Sequence, residues 1–546
     1  MVFSLTPAVN DCLVISEIFE LIVDSLCPRT RKCTLAAFAR TCKTLHAASI
    51  PRLWKHQDGL TQLLRLLPPD TWSEDTFPSG GNVFRITVTD PKRLDWTRFD
   101  HYAEHVQHLV WEEPRNVSLF ALTAIDVSRH GKKPLLPGLR ILDWLEPRAT
   151  HSPFVRLFLT PTIRQLGLMA SDVEPSVMTA LFEHVGTVCS DIESLIILKD
   201  AQGDNTREFT GVVGHALVRF LRGLPDIKSF ISEVRIPADC VAALAALPRL
   251  LEVGFYVRQK EMEILAGRAS TARSSCGAPW FDALEVLALG TDQMDESLQT
   301  FLGAMPAGRL RRVVLEFRQQ PDTDTVKQHL ALVARAASRD ALTSLQLDFD
   351  RTHALDASSP VLDVGDALRP LYAFPHLATL VIRIPALVVR ARALQDIAHA
   401  WPELSILSLM SDHAHPPRRD APCLALADLV PLARNCPQLD MLTLHVNADD
   451  SQLPDTAALA RLLPEPSRSP LRVFTACDAG IGDPRKAAAV LVRLFPGLRE
   501  VEYGGTTRYV GNAHVAFKRK WMAVQALLAR RSDVSEQSAR AVPARW

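Results

Sequence analysis

The sequence has 546 residues, 47% hydrophobic and 22% charged, which supplies apolar side chain for a sizeable core and excludes global disorder. Lys+Arg and Asp+Glu both number 61, so the formal net charge is zero, and this argues against a protein organised around a polyanion, whose phosphates need a basic field. Ten cysteines without a C-x-x-C pair suggest neither a zinc ribbon nor a disulfide framework, and fit reduced thiols in the cytoplasm or nucleus. The opening stretch has no basic n-region, and Asp11, Glu17 and Glu20 interrupt its apolar residues, so it does not read as a secretory signal. No segment reaches the ~20 apolar residues of a membrane span.

In chain order, the first expected element is a helix from Ser16 to Leu26, with Ile15, Ile18, Ile22 and Leu26 on one face. The segment 27–30, Cys-Pro-Arg-Thr, breaks it. A second helix is expected over 33–46 with Leu35, Phe38, Cys42 and Leu45 as its apolar face, followed by Ile50-Pro51-Arg52-Leu53-Trp54. About 45 residues hold little core of their own, so such a module leans on something else.

These residues resemble an F-box, in the divergent form common in fungal proteins. The positions that carry the resemblance are Ile15, Glu17, Ile18, Ile22, Leu26, Leu35, Cys42, Leu45, Leu53 and Trp54. Ser16 stands where the family usually has Pro, and Ser can begin a helix by capping it. The resemblance implies that residues 12–55 dock on the Skp adaptor of a cullin–RING (SCF-type) ubiquitin ligase through these ten positions. The alternative for the helices is a cap on the end of a repeat array, which solenoids need.

Residues 56–80 read as a joint, with one short amphipathic helix and then Pro, Ser and Gly. Over 81–512 an apolar-x-x-apolar-x-apolar pattern recurs, as in 139–144, 284–289 and 439–444. Its fifteen starts run from Val83 and Val106 to Leu498, at a step of about 30 residues. Helix-like runs such as 239–248, 297–306, 393–402 and 485–497 lie between them. Strand and helix alternating at short spacing imply parallel strands with right-handed crossovers, stacked as a solenoid. The pattern resembles the irregular, ribonuclease-inhibitor-like leucine-rich repeat. The fold class expected is therefore an α/β leucine-rich-repeat solenoid of parallel strands and outer helices, preceded by a small all-α F-box. Polar stretches at 199–211, 256–279, 350–360, 411–422 and 447–456 follow strands and belong on one rim, as a recognition edge or as tolerated surface insertions.

Several motifs suggest chemistry. His101-Tyr102-Ala103-Glu104-His105 matches H-x-x-E-H, a zinc-protease signature, but His105 runs straight into a repeat strand. His413 and His415 lie in a Pro/Arg-rich insertion, and Gly480-Ile481-Gly482 lacks the third glycine of a dinucleotide fingerprint. No catalytic, metal or cofactor residues are assigned. Phe517, Trp521, Val524 and Leu528 mark an amphipathic helix over 513–531, a cap on the last repeat with its basic face in water, or a nuclear-localisation or anionic-surface element, followed by a tail over 532–546. Between the inward positions of the strands stand Asp143, Asp348, Arg383, His445 and Glu502, the candidate target-binding residues. Their mixed charge suits a protein partner and not a nucleic acid or a membrane. F-box first and repeats second resembles the non-catalytic substrate receptors of ubiquitin ligases; a repeat scaffold acting outside the ligase is the alternative.

Overall fold

The computed structural model describes residues 15–540 except 28, 77–81, 113–116, 130–133, 147, 149, 171–173, 200–207, 275–279, 350–359, 412–423, 455, 465–466, 468, 478–479 and 505–511. The insertion segments within those ranges, His413, His415 and residues 12–14 lie outside the described residues. The chain divides into two compact units, 1–250 and 251–546.

The first unit opens with three helices, α1 (Ser16–Ser25), α2 (Arg31–Phe38) and α3 (Lys43–Trp54). The single second helix expected from sequence is two, because Cys42 is extended (φ −154°, ψ 166°) and its sulfur accepts the Leu45 N–H at 3.5 Å as the N-cap of α3. Ile15, not Ser16, occupies the N-cap of α1, with no side-chain acceptor. The chain then passes directly into strand β1 (His56–Asp58), inside the segment expected to be a joint. Five more strands follow in parallel register among the described residues: His108–Glu112, Ile141–Leu145, Gln165–Met169, Ser194–Leu198 and Ser229–Arg235.

One sequence match is not a repeat strand. The segment at Val83 belongs to β3 (Asn82–Ile86), which pairs antiparallel with β2 (Trp72–Thr76) in a separate ribbon. Its alternation reflects Phe84, fully buried and stacked on Trp72 at 5.1 Å.

In the second unit nine strands of the main parallel sheet follow among the described residues, from Glu252–Tyr256 through Ser344–Phe349 and Thr379–Arg383 to Glu500–Tyr503, beside two short parallel pairs, Leu362–Asp363 with Leu387–Val388 and Leu424–Ala425 with Val446–Asn447. Each of the fourteen starts from Val106 onward lies two residues before its strand. The three apolar positions of a repeat point into the core: Leu439, Leu442 and Leu444 are at most 1% exposed, and Leu342, Leu345 and Leu347 are fully buried. Helices cross back between strands with one face inward, as Leu394, Ile397 and Ala398 do in Ala391–Ala400. Carboxylate caps start several of them. Asp295 accepts the Ser297 and Leu298 N–H groups, and Asp322 accepts that of Thr325. The expected polar insertion at 256–279 carries a helix, Gln259–Ser274, with Met262, Leu265 and Ala269 buried. Each unit is thus an α/β leucine-rich-repeat solenoid.

The last helix, Asn512–Arg540, continues through positions assigned by sequence to the tail. Trp521, Val524 and Leu528 are buried, and Trp521 lies 6.0 Å from Phe474. Gln525 accepts the Val501 N–H at 2.5 Å and donates to the Arg499 carbonyl at 3.2 Å. A side-chain amide so takes the place of a further strand at the sheet edge, where open backbone groups invite unwanted pairing.

Burial also sets the chemistry of the core. The Cys189 thiol donates to the Thr160 carbonyl at 3.3 Å and that of Cys436 to the Trp401 carbonyl at 3.7 Å; burial pushes their pKa values up to about 11 and about 12. Cys27, Cys33 and Cys42 are exposed. Alkylation of the native protein resolved by mass spectrometry is expected to modify these three and spare Cys189 and Cys436, since the thiolate is the reactive form. Modification of Cys436 as fast as Cys33 would contradict this burial.

His329 is fully buried, with Nδ1 2.7 Å from the Thr325 carbonyl and Nε2 3.1 Å from that of Asp295. Burial lowers its pKa, and the two carbonyls oppose this only in part. Below about pH 6.5 the unfolded chain takes up a proton that the native ring resists, so stability is lost as pH falls through the native value. Denaturant titrations across this range should show a smaller acid loss for His329→Gln than for wild type. An equal loss in both would remove His329 as a cause.

Candidate docking surfaces

The helical module has its own small core of Phe19, Val23, Leu35 and Leu45, with Phe38, Ala48 and Leu53 packed against it. The Arg52 guanidinium lies 5.1 Å from the Phe19 ring and pairs with Glu20 at 2.7 Å, which holds α3 to α1. Helical geometry places the apolar residues of α1 on an arc of about 200°, from Leu21 through Ile18, Ile22 and Ile15 to Phe19 and Val23. One core face needs a stripe of only roughly 100°. The surplus is left outside: Ile15 is 47% exposed and Leu21 71%, while Ile18, Ile22 and Leu26 are half-buried.

The ten positions marked by the F-box resemblance therefore divide. Leu35 and Leu45 lie in the module's core, and Leu53 packs on it. Trp54 packs against Tyr102 of the helix Thr97–Ala103, with ring centroids 5.0 Å apart and the rings tilted, which joins the module to the segment that follows. Cys42 caps α3. Ile15, Glu17, Ile18, Ile22 and Leu26 remain on the accessible side of α1. Leu21 is the residue the sequence reading passed over. The signal was present, one turn beyond Ile18, but a single-face pattern has no place for it.

Of the candidate target-binding residues, Asp143, Asp348, Arg383 and Glu502 sit on strands, and His445 lies between the strands Met441–Leu444 and Val446–Asn447. Asp348 and Arg383 stand side by side in register and form a two-point ion pair at 2.5 and 2.7 Å. Asp348 also accepts from the Gln346 amide. Glu316 occupies the same level one strand earlier and accepts the Tyr256 hydroxyl at 2.7 Å. Tyr256 reaches it by crossing over Gly290, where an added Cβ would lie 2.1 Å from the ring. Tyr256 follows Leu250 by the offset that separates Glu316, Asp348 and Arg383 from their own repeat starts, a signal that could have found it. His445 faces the Cys477 carbonyl through Nδ1 at 2.6 Å, and Glu502 accepts the Thr475 hydroxyl at 3.2 Å. In the first unit Asp143 accepts from His108 Nε2 at 2.8 Å. The structure brings Asp348 and Arg383 together with Glu316 and Tyr256, and gives Asp143, His445 and Glu502 separate partners.

The H-x-x-E-H spacing does not form one helical face. The helix Thr97–Ala103 ends before Glu104, and His105 lies beyond it with its pKa lowered by burial and by His101. Among the described residues no group of three His, Cys, Asp or Glu side chains is arranged to hold a metal ion, and no helix is long and apolar enough to cross a membrane. Gly482 needs no nucleotide to explain it, since an added Cβ would lie 2.7 Å from the Asp450 backbone.

No protein-family model matches the sequence, and no curated protein does. Among solved structures, the chain is similar to the crystal structure of the yeast Rad7 and Elc1 complex, with 13% identity over 66% of this chain and 81% of that one, at a TM-score of 0.40. It is also similar to the leucine-rich repeat-containing protein LegL7 from Legionella pneumophila, with 12% identity over 71% of this chain and 91% of that one, at a TM-score of 0.26.

Proposed function

We propose that this chain is a non-catalytic substrate receptor of an SCF-type cullin–RING ubiquitin ligase. Residues 12–55 dock the Skp adaptor, and the open faces of the repeats hold a target protein. The observation that carries the reading is the double apolar duty of α1. Phe19 and Val23 close the module's own core, while Ile15, Ile18, Leu21 and Ile22 form a second apolar flank, directly ahead of the repeats. Such a flank on a small helical module suits burial against a partner helix. The receptor does no bond chemistry; it raises the local concentration of target lysines near the conjugating enzyme. Both cytoplasm and nucleus fit this role.

The test is co-purification of the full chain with a Skp adaptor. A stable stoichiometric complex supports docking, and its absence with correctly folded protein overturns it. In that event the second reading, a ligase-independent repeat scaffold, stands on the paired polar groups of the open face around Asp348 and Arg383.

A further inference from the structure

Alternation decides which side chains of the first unit's sheet leave water. In the strands His108–Glu112, Ile141–Leu145, Gln165–Met169, Ser194–Leu198 and Ser229–Arg235, alternate residues such as Leu142, Leu166 and Leu195 are fully buried. The residues between them lie on the other face, which in a sheet covered on one side is ordinarily polar. In the second unit Glu316, Asp348, Arg383 and Ser408 hold such positions. The first unit departs from this. Strand register lines up Leu145, Met169 and Leu198 in one row, and sets Ile196 beside Ile231 in the row next to it. These side chains are half-buried, so each keeps part of its surface accessible.

Carboxylates border the apolar row. Glu112 is exposed and pairs in register with Leu145 at one end. Glu233 stands beside Leu198 at the other end, one residue past the pair Ile197 and Ser232, and its Oε2 accepts the Lys199 N–H at 3.1 Å. Asp143 lies between them, in register with Gly167. Its Oδ2 meets His108 Nε2 at 2.8 Å, while Oδ1 lies over Gly167, 2.7 Å from where a Cβ would be, and has no partner among the described residues. The missing side chain lets this carboxylate lean toward Ile196, which pairs with Gly167 on the far side. No lysine or arginine stands at the outward positions of these strands ahead of Arg235, which is buried.

We infer that this face holds a basic amphipathic segment of the target protein, with aliphatic side chains along Leu145, Met169 and Leu198 and a lysine or arginine toward Glu112, Glu233 and Asp143 Oδ1. Contiguous apolar surface rimmed by polar groups marks an interaction site. The rim then selects the sign of the partner, since a carboxylate attracts a cation and repels phosphate and acidic side chains. Nucleic acid and anionic lipid are disfavoured on the same ground. Glu112 and Glu233 stand four strand spacings apart, about 19 Å, the length of roughly 13 residues of helix. The inference rests on the target-holding role proposed above and names the partner's chemistry. Peptide binding needs no adaptor, so this inference and adaptor docking can fail separately.

Fluorescence anisotropy of the full chain with three labelled helical peptides of about 14 residues tests it. The first carries a leucine stripe with lysine at both ends. The second has glutamate in place of lysine, and the third has serine in place of leucine. The first should bind at least about tenfold more tightly than either of the others. In Met169→Lys, at the centre of the row, its affinity should fall by about tenfold or more. Glu112→Lys, at an exposed position, should weaken the first peptide and strengthen the second, and it decides the matter if Met169→Lys fails to fold. No saturable binding of the first peptide, equal binding of the first and either other, or wild-type binding by folded Met169→Lys overturns the inference. So does a dimer of the wild-type chain in sedimentation that Met169→Lys dissolves, which would make the occupant a second copy.

Discussion

An Ile15→Asp, Leu21→Asp double variant of the full chain is expected to lose the Skp adaptor and yet melt with the wild-type protein. Ile15 is the N-cap of α1 and supplies no acceptor to the first-turn N–H groups. Aspartate there accepts from one of them and meets the positive end of the helix dipole, a gain of about 0.5–2 kcal/mol. Leu21 is 71% exposed, so its replacement costs roughly the helix-propensity difference, about 0.5 kcal/mol. The two effects oppose each other in the free protein. At an interface they do not, since two aliphatic contacts are lost and two charges are buried, and binding should weaken by about a hundredfold or more. Leu53→Asp is a poor substitute, because Leu53 packs on the module's core and its loss confuses unfolding with lost docking. Adaptor binding retained by the double variant would remove α1 as the docking element.

The second large effect is expected from Trp401→Ala. Trp401 is fully buried, donates from Nε1 to the Leu371 carbonyl at 3.4 Å and lies 5.5 Å from the Tyr372 ring. Its removal should cost about 3–5 kcal/mol. Repeats contact their neighbours only, so the loss should be local. Exchange protection should fall over Thr379–Arg383, Ile406–Met410 and Met441–Leu444 and be kept over Glu252–Tyr256. Tyr372 provides an independent reading. Burial, then Asp396 and Asp363, push its phenol up to about 12. Water admitted by the cavity should return it toward the free value near about 10, seen in near-ultraviolet absorbance against pH. A variant within about 1 kcal/mol of wild type would show that the neighbouring repeats close over the space.

The surface reading was legible only in part. Ile15, Ile18, Ile22, Leu35 and Leu45 look alike in sequence as members of helical faces. Packing separates them, because Leu35 and Leu45 meet Phe19 and Val23 while the flank of α1 stays exposed or half-buried. Likewise Asp348 and Arg383, 35 residues apart, read as unlike charges on an open face. Strand register makes them one ion pair, with Glu316 and Tyr256 at the same level.

The sequence by itself determined the repeats. An apolar triplet such as Leu342, Leu345 and Leu347 states which side chains leave water, and that choice sets the strand face and its spacing from the next helix. Such information is local, carried by alternation and burial within a few residues. What only the tertiary structure decided is which segments become partners. Residues 56–58, His-Gln-Asp, have no apolar signature, yet they form the first strand, because Gln57 is buried and its amide is met by the Leu53 and Trp54 carbonyls at the end of α3. Val83–Val88 has the signature and is not a repeat strand, because Trp72–Thr76 lies nearer in sequence and takes it antiparallel. Pairing depends on what else competes for a strand edge, and no residue pattern within the strand records its competitors.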